Sequence, residues 1–453
     1  MSSESNITII QSLSHEGRGL TSIDGKVTFV DGALPNEKVI LKNIKKHRRF
    51  NEAEVAEILT PSPMRVLPPC PHASICGGCS MQHIAMSDQI DFKTKIVQEQ
   101  LQHFGKVSPE EWIQPIVGHT LGYRRKARLG VRYVHKKEKL LIGFREKSSN
   151  FLADIEQCLV LDPRIGTRLR KIADVILQLS CYTDIPQIEV AASDAVVALI
   201  FRHLKPLTDN DIQRLKQLGK DYQFDIWLHP NAPLSVHKIW PEHTPEKLSY
   251  FIPDHNIEMQ FHPMDFTQVN HEINLHMIQQ AIDLLDLKPE HDVLDLFCGL
   301  GNFTLPIARR VKQITGIEGS QDMVNRAKEN AAHNQITNTL FFAENLMEPN
   351  KNASWLNKKY DRILLDPPRT GAKEIIPLLA QCEAERIVYV SCNPATFARD
   401  AGELVHTHGY HLTKIGVINM FPHTSHIEVI ALFTSVKRKK SHGHRQANIS
   451  EII

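Results

Sequence analysis

The sequence predicts a doubly wound parallel α/β domain in its C-terminal part, preceded by an α+β domain and a small all-β unit. Three observations carry this. After Asp292, apolar runs at 293–297, 313–318, 339–343, 362–366 and 387–391 alternate with helix-like segments at 303–310, 321–334 and 372–381 and a shorter link near Trp355. That alternation is the signature of a parallel sheet with helices on its faces. From Tyr123 to about Pro263, β-prone runs dominate and two helical stretches interrupt them. The first 60 residues hold only short β-prone runs, separated by Gly and Asp-Gly turns. The expected divisions are 1–61, 62–264 and 265–436, with a basic tail at 437–453.

The totals agree with several domains. A chain of 453 residues is too long for one core. With 42% apolar and 23% charged residues it reads as an ordinary soluble protein. The net charge of +2 does not announce nucleic-acid binding, but basic clusters stand at 42–49, 124–132 and 437–445. Each alone is more often a solvated face than a binding patch. The opening residues lack the apolar core of a signal peptide, and no apolar run is long enough to span a bilayer. The expectation is a cytoplasmic protein without a membrane partner. No interface pattern stands out, and a monomer is expected.

In the N-terminal unit, strands are expected at 6–13, 26–30, 37–43 and 52–59, with turns at Gly17, Gly19, Asp24-Gly25 and Asp31-Gly32. Short strands with basic residues between them suit an OB-like barrel, a frequent oligonucleotide binder, and equally a plain β module. Pro61, Pro63, Pro68 and Pro69 end the unit. Cys70, Cys76 and Cys79 follow as C-x5-C-x2-C in a loop rich in Pro and Gly. Zinc sites usually pair two knuckles, whereas three clustered thiols plus one distant thiol resemble iron–sulfur ligation. Cys158 is the candidate fourth ligand and Cys181 its rival.

Residues 87–104 have helical spacing. Strands are expected at 127–134, 140–144, 187–192, 196–203 and 224–229, with helices at 165–179 and 209–218. Alternation along the first of these strands would turn Arg124, Lys126 and Arg128 to one side, as a row able to contact phosphates. Two last strands, near 412–417 and 428–433, have only a tight connection and should pair antiparallel.

The chemistry concentrates at strand ends. The run 362–366 ends as Asp366-Pro367-Pro368-Arg369, and the run 387–391 delivers Ser391-Cys392-Asn393-Pro394. Two parallel strands joined by a crossover would set Asp366 beside Cys392 at the carboxyl edge, where open α/β sheets bind ligands. A free Cys is more often a small buried hydrophobe, but one placed just past a strand points into the crevice. The first strand ends Phe297-Cys298-Gly299-Leu300-Gly301-Asn302, and the second ends on Glu318. Position 304 is Thr, so the third glycine of the dinucleotide fingerprint is missing, and no GK[ST] phosphate loop is present. An adenosine cofactor without a pyrophosphate fits this better than NAD, with Glu318 suited to ribose hydroxyls.

Asp-x-Phe-x-Gly-x-Gly, a strand-end Glu and Asp-Pro-Pro together resemble the S-adenosylmethionine-dependent methyltransferases. Arg369 replaces the aromatic residue expected for amine methylation, and a thiol waits at the next strand. Carbon-5 of a pyrimidine needs a thiol: addition at C6 makes C5 nucleophilic, and a base must then remove the C5 proton. His426-Ile427-Glu428 offers that base. Asp366–Gly371 (DPPR-x-G), Ser391–Pro394 (SCNP) and the terminal His-Ile-Glu are similar to the RNA uracil-C5 methyltransferase family. With C-x5-C-x2-C and an N-terminal barrel like a TRAM domain, the resemblance is to its bacterial 23S ribosomal RNA branch, over almost the whole chain.

The resemblance implies a Rossmann-like class I methyltransferase domain with Cys392 as nucleophile and Glu428 as base. It implies that Gln268, Phe297, Asn302, Glu318, Asn345 and Asp366 bind S-adenosylmethionine, with Glu344 competing with Asn345. It implies a [4Fe-4S] cluster on Cys70, Cys76, Cys79 and Cys158. It implies that the barrel and cluster domain grip 23S RNA, with Arg124, Lys126, Arg128 and Phe266 as RNA contacts, while the target uracil is flipped into the pocket. Ile427 stands where Val is commoner. A uracil-C5 enzyme acting on transfer RNA, and a non-catalytic RNA-binding iron–sulfur protein, are the alternatives.

Overall fold

The structure, a computed structural model, describes residues 7–230 and 236–435. The expected basic tail lies outside them. The first sheet has six strands in the order Ile7–Ile9, Lys38–Lys46, Asn51–Thr60, Lys26–Asp31, Gly19–Ile23, Ser12–Leu13. Its two edge strands are consecutive in the chain. Ile10 N donates to Glu37 O at 3.0 Å and Gln11 N to Leu20 O at 2.8 Å, so the sheet curls back on itself. Ile10, Val30, Ala33, Val39, Leu41 and Ala53 fill the barrel-like interior.

The central sheet also has six strands, ordered His237–Trp240, Phe224–His229, Val197–Arg202, Gln187–Ala192, Lys126–Val134, Lys139–Gly143. Alternation of side chains divides it between two cores. Leu199 and Phe201 join the core of Leu169–Ile176 and Asp209–Tyr222. Ala198 and Ile200 instead pack with the hairpin Leu248–Ile252/Ile257–Phe261. The single helix expected at 165–179 is split into Pro163–Gly166 and Leu169–Ile176. Gly166 packs so closely that a Cβ there would stand 2.4 Å from Cys158 O.

The third sheet contains β1 Asp292–Leu296, β2 Gln313–Glu318, β3 Thr339–Ala343, β4 Arg362–Leu365, β5 Arg386–Ser391, β6 Tyr410–Ile418 and β7 Glu428–Ser435. Their order is β3-β2-β1-β4-β5-β7-β6, with the short strand Glu111–Trp112 beside β6. The first five strands are parallel and β7 is antiparallel to both neighbours, as expected. Val293, Leu364, Val388 and Val390 point into one core, with helices His271–Leu285 and Gln321–His333. Leu294, Ile363, Ile387 and Tyr389 point into the other, with Met86–Gln100 and Pro394–His406.

Two expectations change here. The helix expected at 372–381 is reduced to Ile376–Leu379 and a 3-10 turn. Pro377 is the reason: it lacks an N–H and is tolerated only in a first turn. Residues 86–107 and 248–261, expected within a separate central domain, contribute to the cores on either side of the third sheet. No helix of the described residues is long and apolar enough to cross a membrane.

Candidate active site

The pairing register gathers the site. Leu296 pairs with both Ile317 and Leu365, and Leu365 pairs with Tyr389. The residues that follow β1, β4 and β5, together with Glu318 at the end of β2, therefore meet at one edge. Because β7 runs the other way, its first residue reaches the same edge: Ser391 pairs with Val429, so Cys392 and Glu428 are neighbours. A cavity of about 890 Å³ opens there. Asp366, Cys392 and Glu428 line it, as do Gln268, Phe297, Asn302, Glu318, Asn345 and Phe266. Its size is near the upper end of small-molecule pockets, roughly 300–1,000 Å³, so it has room for more than one ligand moiety.

Three carboxyl groups shape the electrostatics. Asp366 faces the cavity and is otherwise enclosed by protein; burial, then the charges of Glu428 and Asp295, push its carboxyl well above the usual carboxylate range. Asp295 is fully buried and is pushed up to about 7 by the same desolvation, against the hydrogen bond from Thr304 Oγ1 at 2.5 Å. The Cys392 thiol is raised to about 11, by burial first and then by Glu428 and Asp366, with Arg369 opposing. Glu428 is buried. His426 Nε2 stands 3.6 Å from its Oε1, and Arg369 Nη2 lies 3.3 Å from His426 Nδ1. Asn393 Nδ2 and Thr396 Oγ1 donate to Arg369 O at 2.9 and 3.1 Å, so the Asp-Pro-Pro-Arg turn is fastened to the turn that carries Cys392.

Where β1 ends at the cavity wall the backbone is strained. Phe297, a non-glycine residue, has φ +65°, and Gly299 and Gly301 follow at +54° and +95°. Such conformations collect at ligand sites. Glu318 accepts from Gly299 N at 3.1 Å and from Ser320 N at 3.0 Å, which fixes its carboxylate at the end of β2. Asn302 Oδ1 accepts from Tyr250 Oη at 2.8 Å and Asn274 Nδ2 at 3.0 Å, while its Nδ2 donates to Asn274 Oδ1 at 2.9 Å. One N–H of that amide remains for a ligand. Sequence reasoning missed Tyr250 and Asn274; both act through tertiary contact and leave no local pattern. Asn345 lines the cavity, whereas Glu344 turns away to accept from Trp355 Nε1 at 2.7 Å and Asn350 N at 2.8 Å.

The predicted RNA contacts separate. Phe266 is 71% exposed at the cavity rim and Arg128 is exposed. Lys126 does not join an open row: its ammonium donates to Pro263 O at 3.1 Å and to Asp265 O, and burial lowers it to about 8. Arg124 is half-buried over the rings of Phe144 and Phe421. Alternation gave these side chains a common direction, but Lys126 meets the segment at 263–265 and Arg124 folds over two rings, so only Arg128 stays open.

Cys70, Cys76, Cys79 and Cys158 line a second, smaller pocket, while Cys181 lies in the core of the central sheet. The loop fits tightly because Gly77 and Gly78 lack side chains: a Cβ on Gly78 would stand 3.2 Å from the Phe144 ring. Gly78 N donates to Cys76 Sγ at 3.4 Å. Cys79 is pushed up to about 12 by burial, with the other three thiols adding to the rise. Among the described residues no three His, Cys, Asp or Glu are arranged to hold a single metal ion. A polynuclear cluster places its thiolates on separate irons, and four convergent thiols with N–H donors suit that donor set.

The sheet order and its strand-edge cavity define a class I methyltransferase fold. A family model described as tRNA (Uracil-5-)-methyltransferase matches residues 85–436. A protein of Alcanivorax borkumensis is 49% identical over 430 residues, covering 95% of this chain and 96% of its own. One of Hahella chejuensis is 50% identical over 429 residues, covering 94% and 96%. Both are named 23S rRNA (uracil(1939)-C(5))-methyltransferase RlmD. The crystal structure of Pyrococcus abyssi tRNA (uracil-54, C5)-methyltransferase in complex with S-adenosyl-L-homocysteine superposes with a TM-score of 0.72 at 22% identity, covering 94% of this chain and 100% of that one, and supports the fold. The chain belongs to the tRNA (uracil-5-)-methyltransferase family.

Proposed function

We propose that this protein methylates carbon-5 of a uridine in 23S ribosomal RNA, the position that its relatives' names number 1939. The observation that carries the reading is one thiol, Cys392, set between two carboxyl groups, Asp366 and Glu428, in a cavity that a Gly-x-Gly turn and Glu318 also line. Phe297, Asn302, Glu318, Gln268, Asn345 and Asp366 hold S-adenosylmethionine, which supplies an electrophilic methyl group to a carbon nucleophile.

Cys392 creates that nucleophile. Its sulfur gives up the thiol proton to solvent and bonds to C6 of the uracil, and the C5–C6 π pair moves toward C5 and O4. After C5 is methylated, Glu428 takes the C5 proton. The C5–H pair forms the new C5–C6 double bond, the S–C6 bond breaks, and its pair returns to Cys392. The proton affinity of Asp366 is raised, so it can stand as a neutral donor beside the uracil as well as a cofactor ligand. Phe266 at the rim offers an aromatic face to a nucleobase.

The first sheet is read as a TRAM-like barrel spanning 1–61. The central α+β unit, expected over 62–264, carries a [4Fe-4S] cluster on Cys70, Cys76, Cys79 and Cys158 and lends 86–107 and 248–261 to the cores of the unit expected over 265–436, which carries the methyltransferase site. Arg128 and Phe266 remain RNA contacts; Arg124 and Lys126 are reassigned to holding the site. A cytoplasmic monomer is the corresponding cellular form.

Cys392→Ala tests the assignment. Methyl transfer from labelled cofactor to protein-free 23S RNA should fall to background, while cofactor affinity stays within about twofold of the parent, because the thiol serves chemistry rather than cofactor binding. Residual turnover in that variant would remove Cys392 from the mechanism.

A further inference from the structure

The segment 419–427 joins β6 to β7 and brings Phe421, His426 and Glu428 to the cavity. Helix Met86–Gln100, from the opposite end of the chain, fastens it. Gln89 does so with a neutral amide: its Nε2 lies 3.4 Å from His423 Nδ1, and its Oε1 accepts from His423 N at 2.9 Å. One turn further along the helix, Lys93 has no exposed surface. Its ammonium donates to Asn419 Oδ1 at 2.8 Å and to Phe421 O at 3.1 Å.

Both partners are neutral oxygens. A buried ammonium on neutral partners carries a desolvation cost that the Gln89 amide avoids, so fastening the segment does not by itself account for a charge at 93. Burial lowers the Lys93 ammonium to about 7, and the one opposing influence is the charge of Glu428. That attraction is mutual. The acids Asp366 and Cys392 crowd Glu428 from the ends of β4 and β5, and His426 stands against it on its own segment. On the other side of Lys93, His423 is the remaining titratable neighbour. The Lys93 ammonium is thus a cation that attracts Glu428 where those acids crowd it. The Phe421 carbonyl that Lys93 grips belongs to the residue whose ring packs edge-on against His426, at 4.5 Å.

We propose that Lys93 is a positioning residue for the elimination step: its buried ammonium and its hydrogen bonds to Asn419 and Phe421 hold the Phe421–His426 wall, and with it Glu428, in place to take the C5 proton. This rests on the reading of Cys392 as nucleophile and Glu428 as base. It concerns one step only, because proton removal from C5 and release of the S–C6 bond follow methyl transfer.

The test uses the full-length protein and a 23S RNA fragment in single-turnover experiments. Lys93→Met keeps the side-chain volume and removes the charge. Lys93→Gln also keeps a donor for Asn419 and Phe421, and so separates charge from fastening. In both variants the RNA–protein adduct should form as in the parent and decay at least about tenfold more slowly, the lower range of what a positioned base contributes. The adduct should then accumulate on a denaturing gel with ordinary uridine RNA, and cofactor affinity should not move. Glu428→Gln should trap the same adduct, and Lys93→Met added to it should slow decay no further. Decay at the parent rate in Lys93→Gln would overturn the role of the charge. Absence of any adduct from the parent on 5-fluorouridine RNA would overturn the thiol reading itself, and this inference with it.

Discussion

Cys392, the proposed nucleophile, is a thiol held back by its surroundings. Burial and the carboxylates of Glu428 and Asp366 raise its thiol to about 11, while Arg369 opposes them. An acid raised in this way stays protonated at neutral pH, so its reactivity toward an alkylating reagent should climb with pH. In the cofactor-free protein, iodoacetamide labelling of Cys392, followed by peptide mass spectrometry, should show a midpoint near 11 and above the ordinary 9.0. Glu428→Gln removes a negative neighbour, stabilises the thiolate and should lower that midpoint. A midpoint at or below 9.0, or an upward move in Glu428→Gln, would contradict the electrostatics. At this scale the sequence was informative wherever chemistry sits on a strand end: Asp366, Cys392, Glu318 and Glu428 all line the cavity. It was silent about occupancy. Nothing local shows that Lys126 is taken by the carbonyls of Pro263 and Asp265, or that Trp355 draws Glu344 away from a ligand.

The parallel strands were legible because buried strands read as continuous apolar runs. Those at 313–318 and 339–343 match the observed bounds, although the second is an edge strand in which only Phe341 is buried. Glycine misled the barrel reading: Gly19 looked like a turn but begins the strand Gly19–Ile23, close against Ala33 and Ile10. The cysteine loop was legible from spacing, and its convergence with Cys158 became visible only in three dimensions. If that loop holds a cluster as a structural clip, Cys79→Ser should lose its iron and visible absorbance and bind 23S RNA at least about tenfold more weakly, since losing one ligand removes folding energy from the loop. Full iron content in that variant would set Cys79 aside as a ligand, and unchanged RNA affinity would uncouple the cluster from RNA binding.

Across the whole molecule, the cores cut across the divisions read from the sequence. Met81, Phe92 and Val97 share a core with Leu296 and Phe433, and Tyr250 and Phe261 share another with Leu300. Contacts of that separation have no periodic signature, which is why Lys93 and Tyr250 entered the site only with the structure. The consequence is that segments far apart in the chain and the strand edge that carries Cys392 are joined through common packing.

The most direct measurement of the central claim is trapping. The protein, S-adenosylmethionine and a 23S RNA fragment with 5-fluorouridine at the target position are incubated and run on a denaturing gel. Fluorine does not leave as the C5 proton does, so elimination is blocked and the S–C6 bond should persist. The account predicts a covalent RNA–protein band, mapped by peptide mass spectrometry to Cys392 and lost in Cys392→Ala. Methyl transfer to ordinary RNA with no such band on the fluorinated RNA would contradict a thiol mechanism at carbon-5.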